Sequence, residues 1–252
     1  MGIATAANVV LCPRWRTIQR RLWLAVLMAV CGSVGRPLHA AEDQRAPVRD
    51  PARQFAKRLE SWVEIKQRNI VMQERDYSCG AAVLATVARY YWGDDVGEED
   101  FLDALDELLT AEEAEDRVKN GLTMSDLRRA AVACGYQAVV GKLPLEKLSE
   151  SKVPLIVGIT VDEHDHFVVY RGLYPPYVYL ADPIRGNIRV RIPEFSKQWQ
   201  KNTVLAVHKP GQKVRESSPL GVTAAEVDLG KLNDQLIRTQ GTRLWPRLKQ
   251  HR

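Results

Sequence analysis

Cysteine is scarce in this chain, with four residues among 252, and no two of them form a C-x-x-C pair. A disulfide-stabilised mini-protein is therefore excluded, as are a zinc knuckle and a thioredoxin-like redox motif. Internal repeats are also absent. With 45% hydrophobic and 27% charged residues, the composition is that of an ordinary globular protein with one good core.

A charge excess is missing from the body of the protein. The formal net charge is +5, but residues 1–40 contain five arginines and no acidic residue. Without them, basic and acidic side chains are equal in number. Because nucleic-acid binding relies on a basic surface, we expect no nucleic-acid partner.

Long apolar runs are missing as well. The apolar run Leu22–Val30 is too short to cross a hydrocarbon layer of ~30 Å. It follows the basic segment Arg14–Arg21 and precedes the small-residue stretch Pro37–Ala41. This order predicts a secretory signal at residues 1–40, with cleavage after Ala40. A retained N-terminal membrane anchor is the alternative.

The remaining chain predicts helices first and strands afterwards. Residues 41–65 are polar and predict a tether, with a short helix at Gln54–Val63. The alanine-rich segment Cys79–Gly93 predicts a buried helix. Short apolar runs after it predict an antiparallel sheet, and hence an α+β domain at residues 66–210. Residues 211–252 predict a C-terminal tail with helical pieces and no obvious place in the core. The predicted strands are Tyr136–Val140, Val153–Val161, His166–Leu173, Val178–Asp182, Gly186–Ile192 and Thr203–His208.

An acidic stretch, Asp94–Asp116, holds twelve acidic residues and no basic one. Its apolar residues fall at helical spacing, which predicts one amphipathic helix with a solvated acidic face. The alternative is a surface that attracts a basic partner. The apolar residues are Phe101, Leu102, Leu105, Leu108 and Leu109.

Two cysteines follow the predicted signal, Cys79 and Cys134. Cys79 starts a predicted helix, where unpaired backbone N–H groups favour a thiolate over a thiol. Cys134 lies on the apolar side of a later helix that ends at Gly135, so we expect it in the core. A disulfide between the two cysteines is the alternative.

A nucleophilic thiol also needs a base and a group that orients the base. His166 begins a predicted strand and Asp182 ends the next one. A hairpin that turns near Pro175 would bring the two side chains together. His164 is an alternative base, and the cluster Asp162–His166 is an alternative metal site, although we expect no metal.

Gln73 lies six residues before Cys79. At this position its amide can donate to an oxyanion, together with the Cys79 backbone N–H.

Three segments together resemble the peptidase family C39, the double-glycine leader peptidases. They are Gln73–Ala82, His166–Tyr170 and Ala181–Pro183. The family has a glutamine six residues before the cysteine and a histidine-to-aspartate spacing of about sixteen, and both hold here. Gly121–Leu127 also resembles the family's G-x-S-x-x-D-L element, with threonine for serine. The resemblance covers roughly residues 66–208.

The resemblance implies a papain-like fold and a cysteine peptidase without a cofactor. Cys79 would be the nucleophile, His166 the proton shuttle, Asp182 its orienting group and Gln73 the oxyanion donor. The substrate would be a peptide or protein with a small P1/P2 pair. Many members are fused to an ABC transporter, whereas this chain has no Walker motif, so we expect no ATP-binding domain in it.

Exported, free-standing members accompany functional-amyloid secretion. By resemblance we expect a periplasmic protein whose partners are amyloid subunits or an outer-membrane pore. Two other functions remain open at this point. One is a secretion accessory without proteolytic activity, and the other is a cell-wall amidase.

Overall fold

The computed structural model describes residues 45–50, 53–58 and 60–228. The predicted signal at residues 1–40 and the last part of the predicted tail lie outside these residues. Helices precede the main sheet in the chain, so the predicted α+β class is confirmed. The helices are α1 Trp62–Gln67, α2 Cys79–Val87, α3 Glu98–Asp106, α4 Ala111–Asn120, α5 Met124–Ala133, α6 Leu145–Ser149 and α7 Ile192–Gln198.

Residues 45–50 and 53–58 form strands in the region predicted as a tether. Strands β1 (Arg45–Asp50) and β2 (Arg53–Arg58) pair antiparallel. This pairing satisfies the backbone N–H and C=O groups of the two strands. The polar composition of the segment does not predict it. The short helix predicted at Gln54–Val63 is wrong over the residues that form β2, and a helix begins only at Trp62 as α1, where Ser61 and Glu64 form a capping box.

Helix α2 is the central helix of the fold, because all of its residues are buried. It continues as a π-helical turn, Ala88–Trp92, and ends at Gly93. Gly93 has φ +82°, a left-handed conformation that glycine adopts without steric cost. The buried helix predicted from Cys79 to Gly93 is therefore confirmed.

The acidic stretch forms two helices, α3 and α4, and the prediction of a single helix is wrong. The chain breaks before Thr110, whose side chain accepts from the Glu113 backbone and starts α4 with a capping box. Leu108 and Leu109 lie in the connection and are half-buried. Phe101, Leu102 and Leu105 are buried, as the pattern predicts.

Six antiparallel strands form the main sheet in the order β3-β8-β4-β5-β6-β7. Each predicted strand is present with shifted ends. The antiparallel hairpin β5–β6 turns at Pro175-Pro176, so the start of β5 lies near the end of β6. The bounds are β3 Gln137–Lys142, β4 Leu155–Val161, β5 His164–Tyr174, β6 Tyr177–Asp182, β7 Gly186–Arg191 and β8 Trp199–His208.

Apolar side chains pack on both faces of the sheet, because neighbouring residues of a strand point to opposite faces. Val169 belongs to a buried cluster that includes residues of α2, α3 and α5. Its neighbours Val168 and Tyr170 belong to a second cluster, on the other face, that includes Phe195 of α7. Helix α7 has Pro193 in its first turn and was not predicted from the sequence.

The C-terminal segment 211–228 packs against the domain. Leu220 is buried, and the Arg215 backbone hydrogen-bonds to the Tyr91 hydroxyl. The buried Arg171 side chain donates to both carboxylate oxygens of Glu226. These side chains give the segment a place in the fold that its sequence did not reveal. Within the described ranges, 45–50, 53–58 and 60–228, no helix is long and apolar enough to cross a membrane.

Candidate active site

Cys79 is the first residue of α2 and is 8% exposed. The preceding residue, Ser78, does not cap the helix with its side chain, since its hydroxyl donates to the Arg75 carbonyl at 2.7 Å. The N–H groups of the first turn therefore have no side-chain cap, and they direct partial positive charge toward the thiol. Such a location favours a reactive cysteine.

Gly80 allows α2 to pack closely against α5. A Cβ at this position would lie 2.5 Å from the Leu127 side chain. Glycine at position 80 thus avoids a steric conflict with Leu127 in the turn that begins with the cysteine.

His166 and Asp182 form a hydrogen bond between adjacent strands. His166 Nε2 lies 3.0 Å from Asp182 Oδ1. The Asp182 side chain is fully buried and that of His166 is 12% exposed. The second ring nitrogen, Nδ1, remains for Cys79, whose side chain lies near enough to raise the pKa of His166. The structure therefore places Cys79 and His166 on one cleft, with Asp182 bonded to the far side of the imidazole.

The surroundings of His166 favour its protonated form. Burial lowers the pKa of His166, but the hydrogen bonds and charges of Asp182 and Cys79 outweigh burial and raise it to about 9. An imidazolium beside a thiol stabilises the thiolate, which is the nucleophilic form.

Asp182 is held by several donors besides His166. Its Oδ1 accepts from the Ile184 and Arg185 backbone N–H groups at 2.8 and 2.9 Å, and its Oδ2 accepts from Arg185 Nε at 2.6 Å. Although burial opposes the charged form, these bonds and His166 lower the pKa of Asp182 well below its usual range. The carboxylate is thus charged and fixed in place.

Gln73 lies in the loop before Cys79. Its Nε2 donates to the Arg75 carbonyl at 3.0 Å, and its backbone N–H donates to the Pro183 carbonyl at 3.0 Å. An amide nitrogen carries two hydrogens, so one N–H remains for another acceptor. The Gln73 backbone is thereby tied to the turn that follows Asp182.

The two cysteines are not joined by a disulfide. Cys134 is half-buried, with its Sγ 3.7 Å from the Asp100 carbonyl oxygen. Cys134 packs against the core as expected, but it is only partly buried because it caps the C-terminal end of α5 rather than lying within the helix.

His164 lies apart from Cys79, His166 and Asp182. Its Nδ1 is 2.7 Å from the Asp162 carbonyl oxygen, and its side chain is exposed beside the β4–β5 turn. Among the residues that the structure describes, no group of three His, Cys, Asp or Glu side chains could hold a metal ion.

A cleft of about 570 Å³ opens beside Cys79 and His166. One wall is Asp116–Met124, at the end of α4 and the start of α5, and the other comes from the sheet. Its size suits a peptide segment rather than a large folded domain. The sheet side contributes Gly158, Thr160, Asp165, Phe167, Gln200, Lys201 and Thr203.

Sequence reasoning missed two charged residues beside this site. Arg185 forms an ion pair with Asp182. The i,i+3 spacing of the two residues in a turn could have predicted this pair. Glu98 of the acidic stretch is 5% exposed and accepts a hydrogen bond from the Glu74 N–H at 2.9 Å. No local pattern distinguishes Glu98 from the exposed acids around it.

Comparisons with known proteins match the part of the chain that contains this site. The model of the Peptidase C39 family matches residues 67–211. Two proteins named "Probable functional amyloid protease FapD" are similar, from Pseudomonas fluorescens (34% identity) and Pseudomonas aeruginosa (31%). Each match covers 143 residues, which is 57% of this chain and 62% of the relative. The chain thus matches less than two thirds of these relatives' length.

Among solved structures, the peptidase domain of Streptococcus ComA, a bi-functional ABC transporter involved in quorum sensing, is similar at 20% identity. The TM-score is 0.47, and the match covers 56% of this chain and 97% of that domain.

Proposed function

Because this chain belongs to the peptidase C39 family, we propose that it is an exported cysteine peptidase that hydrolyses a peptide bond in a secreted protein or leader. The observation that carries the proposal is the arrangement of Cys79, His166 and Asp182 at the edge of the cleft. These three residue types in this order supply a nucleophile, a proton shuttle and an orienting charge.

The reaction begins with the thiolate of Cys79. Its sulfur attacks the scissile carbonyl carbon, and the carbonyl electron pair moves to the oxygen as an oxyanion. When the oxyanion collapses, the C–N bond breaks and the imidazolium of His166 gives its proton to the leaving amine. Neutral His166 then takes a proton from water, the hydroxide attacks the thioester, and Cys79 is released with the carboxyl product.

Asp182 keeps His166 in the orientation that this reaction needs. With Nε2 held at 3.0 Å by a buried carboxylate, Nδ1 carries the proton exchanged with Cys79 and the substrate. The same carboxylate stabilises the imidazolium and so supports the ion pair of the resting enzyme.

The oxyanion is stabilised by two donors, the Cys79 backbone N–H and the Gln73 amide. The Cys79 N–H is supported as a donor because no side chain caps the start of α2. In the Gln73 amide, the donor is the Nε2 hydrogen that is not bonded to the Arg75 carbonyl. Preorganised donors of this kind stabilise negative charge that develops only in the transition state.

The cellular role that we propose is support of functional-amyloid export in the periplasm. It rests on the names of the two FapD relatives and on the signal pattern of residues 1–40. The substrate is then an amyloid subunit or a protein exported with it, and an outer-membrane pore is a candidate partner. Fractionation of cells and N-terminal sequencing test the location, with a mature start at Ala41 expected.

A comparison of exported proteins tests the activity. N-terminal peptides are mapped in a strain with the natural gene and in one with Cys79→Ala. We expect at least one exported protein to keep an N-terminal segment in the Cys79→Ala strain, and the purified protein to remove that segment. Identical N-termini in both strains would contradict a peptidase. Release of muropeptides by the purified protein would identify a cell-wall amidase instead.

A further inference from the structure

Glu98 differs from the other acidic residues of its stretch because it is buried. It opens α3 and is 5% exposed, whereas the side chain of its neighbour Glu99 is 52% exposed. Burial, with Glu74 and Glu99 nearby, raises the pKa of Glu98, so its charged form is disfavoured at this place. A buried carboxylate is costly unless its hydrogen bonds compensate for the lost water.

The partners of Glu98 lie at the two ends of the loop between Gln73 and Cys79. Glu98 Oε2 accepts from the backbone N–H of Glu74, the residue after Gln73, at 2.9 Å. The Ser78 side chain, next to Cys79, lies near enough to lower the pKa of Glu98, although its hydroxyl proton is donated to the Arg75 carbonyl. Glu98 thus bonds the residue that follows the proposed oxyanion donor and lies beside the residue that precedes the nucleophile.

The loop also has bonds of its own and one ion pair to the exposed Glu99. Ser78 Oγ donates to the Arg75 carbonyl and accepts from the Arg75 N–H at 3.2 Å. The Arg75 guanidinium pairs with Glu99 at the surface. Surface ion pairs of this kind contribute little to stability. Glu98 is therefore the buried group that α3 contributes to this loop.

We infer that Glu98 is a positioning residue, which fixes the loop so that Gln73 and the Cys79 backbone N–H face the same oxyanion. The inference rests on the proposed function, in which Gln73 is an oxyanion donor. A donor displaced by about 1 Å loses much of its effect on the transition state, although the thiol itself stays intact.

The test compares two reactions of Cys79. Alkylation by iodoacetamide displaces iodide at a saturated carbon and forms no oxyanion. Acylation by p-nitrophenyl acetate passes through a tetrahedral oxyanion and needs the two donors. The ratio of the acylation rate to the alkylation rate, measured on the purified protein, therefore reports oxyanion stabilisation separately from thiol reactivity. Neither reagent is a peptide, so the ratio can be measured even if the protein cleaves no peptide.

We expect Glu98→Ala to lower this ratio on the order of 10-fold, and Gln73→Ala to lower it further. Glu98→Gln keeps a side-chain carbonyl that accepts from the Glu74 N–H, so it should restore most of the ratio. Glu107→Ala is the matched control, an exposed glutamate just after the other end of α3, and should leave the ratio unchanged. If Glu98→Ala does not fold, Glu98→Asp, which is one methylene shorter, should also lower the ratio.

Three results would overturn the inference. The ratio could be unchanged in a folded Glu98→Ala or Glu98→Asp protein. Alkylation could fall in parallel with acylation, which would indicate general disruption of the site. Glu98→Gln could be as impaired as Glu98→Ala, which would exclude the hydrogen bond as the cause.

Discussion

The Gln73 backbone N–H donates a hydrogen bond of 3.0 Å to the Pro183 carbonyl, although the two residues are far apart in the chain. Pro183 follows Asp182, so this bond connects the loop of the proposed oxyanion donor to the turn that holds the orienting carboxylate. On the other side of the loop, α3 contributes Glu98. The loop before Cys79 is thus fixed both by the sheet and by the helices.

The first prediction concerns pH. A pKa of about 9 for His166 means that the imidazolium persists well above neutral pH. We expect turnover to fall as pH rises through about 9, because the proton for the leaving amine is lost. The imidazolium should contribute fully to stability below about pH 6.5, and this contribution should disappear as pH rises through about 9. Rate and thermal unfolding are measured from pH 6 to 10.

Arg185→Gln refines this prediction. Arg185 competes with His166 for Asp182, so removal of Arg185 should raise the pKa of His166. The fall in turnover at alkaline pH should then move to a higher pH by about half a unit. Arg189→Gln, an arginine on β7 that contacts Tyr177 instead, is the control and should not shift it. A downward shift in Arg185→Gln would contradict the electrostatic account.

The second prediction concerns thiol reactivity. We expect iodoacetamide near neutral pH to modify Cys79 before Cys134, although Cys79 is the more buried of the two, because His166 supports its thiolate. His166→Ala should slow this labelling on the order of 10-fold or more. His164→Ala, an exposed histidine two residues away, should not. Mass mapping gives the result, and a Cys79–Cys134 disulfide in the active protein would refute the prediction.

The third prediction concerns the graded cost of the site residues. His166→Ala should nearly abolish turnover, as Cys79→Ala does. Asp182→Asn should keep the contact with the His166 ring but favour the wrong tautomer of the imidazole. It should therefore reduce turnover less than His166→Ala does. Gln73→Ala should cost on the order of 10²–10³ in kcat. Equal activity of wild type and Gln73→Ala would show that the amide is not an oxyanion donor.

The fourth prediction concerns the exposed acids of α3, α4 and their connection. Neutralising Asp103, Asp106, Glu107 and Glu112 should leave turnover and partner binding nearly unchanged, because all four are solvated. If these residues recruit a basic partner instead, binding should weaken and lose its salt dependence. Binding at low and high salt distinguishes the two outcomes.

Much of the fold could be predicted because local patterns determined it. The apolar run after Cys79 gave the central helix, and the spacing of His166 and Asp182 gave their contact across a hairpin. The capping box at Thr110 was a local signal too, and recognising it would have predicted two acidic helices.

Other features depend on tertiary contacts and leave no local signal. Glu98 is buried only because α3 packs beside the loop before Cys79. The C-terminal segment is anchored by Arg171 and Glu226, which lie on separate parts of the chain. Such long-range pairs are invisible to periodicity, because each residue alone is typical of an exposed surface.

The central claim is that the chemistry of Cys79 is used, and complementation of a deletion strain tests it most directly. Cys79→Ala removes the nucleophile and little volume, so the protein should fold, reach the periplasm and fail to restore amyloid export. The natural gene should restore export fully. Full restoration by a folded, correctly located Cys79→Ala protein would contradict the account and make the fold a binding scaffold.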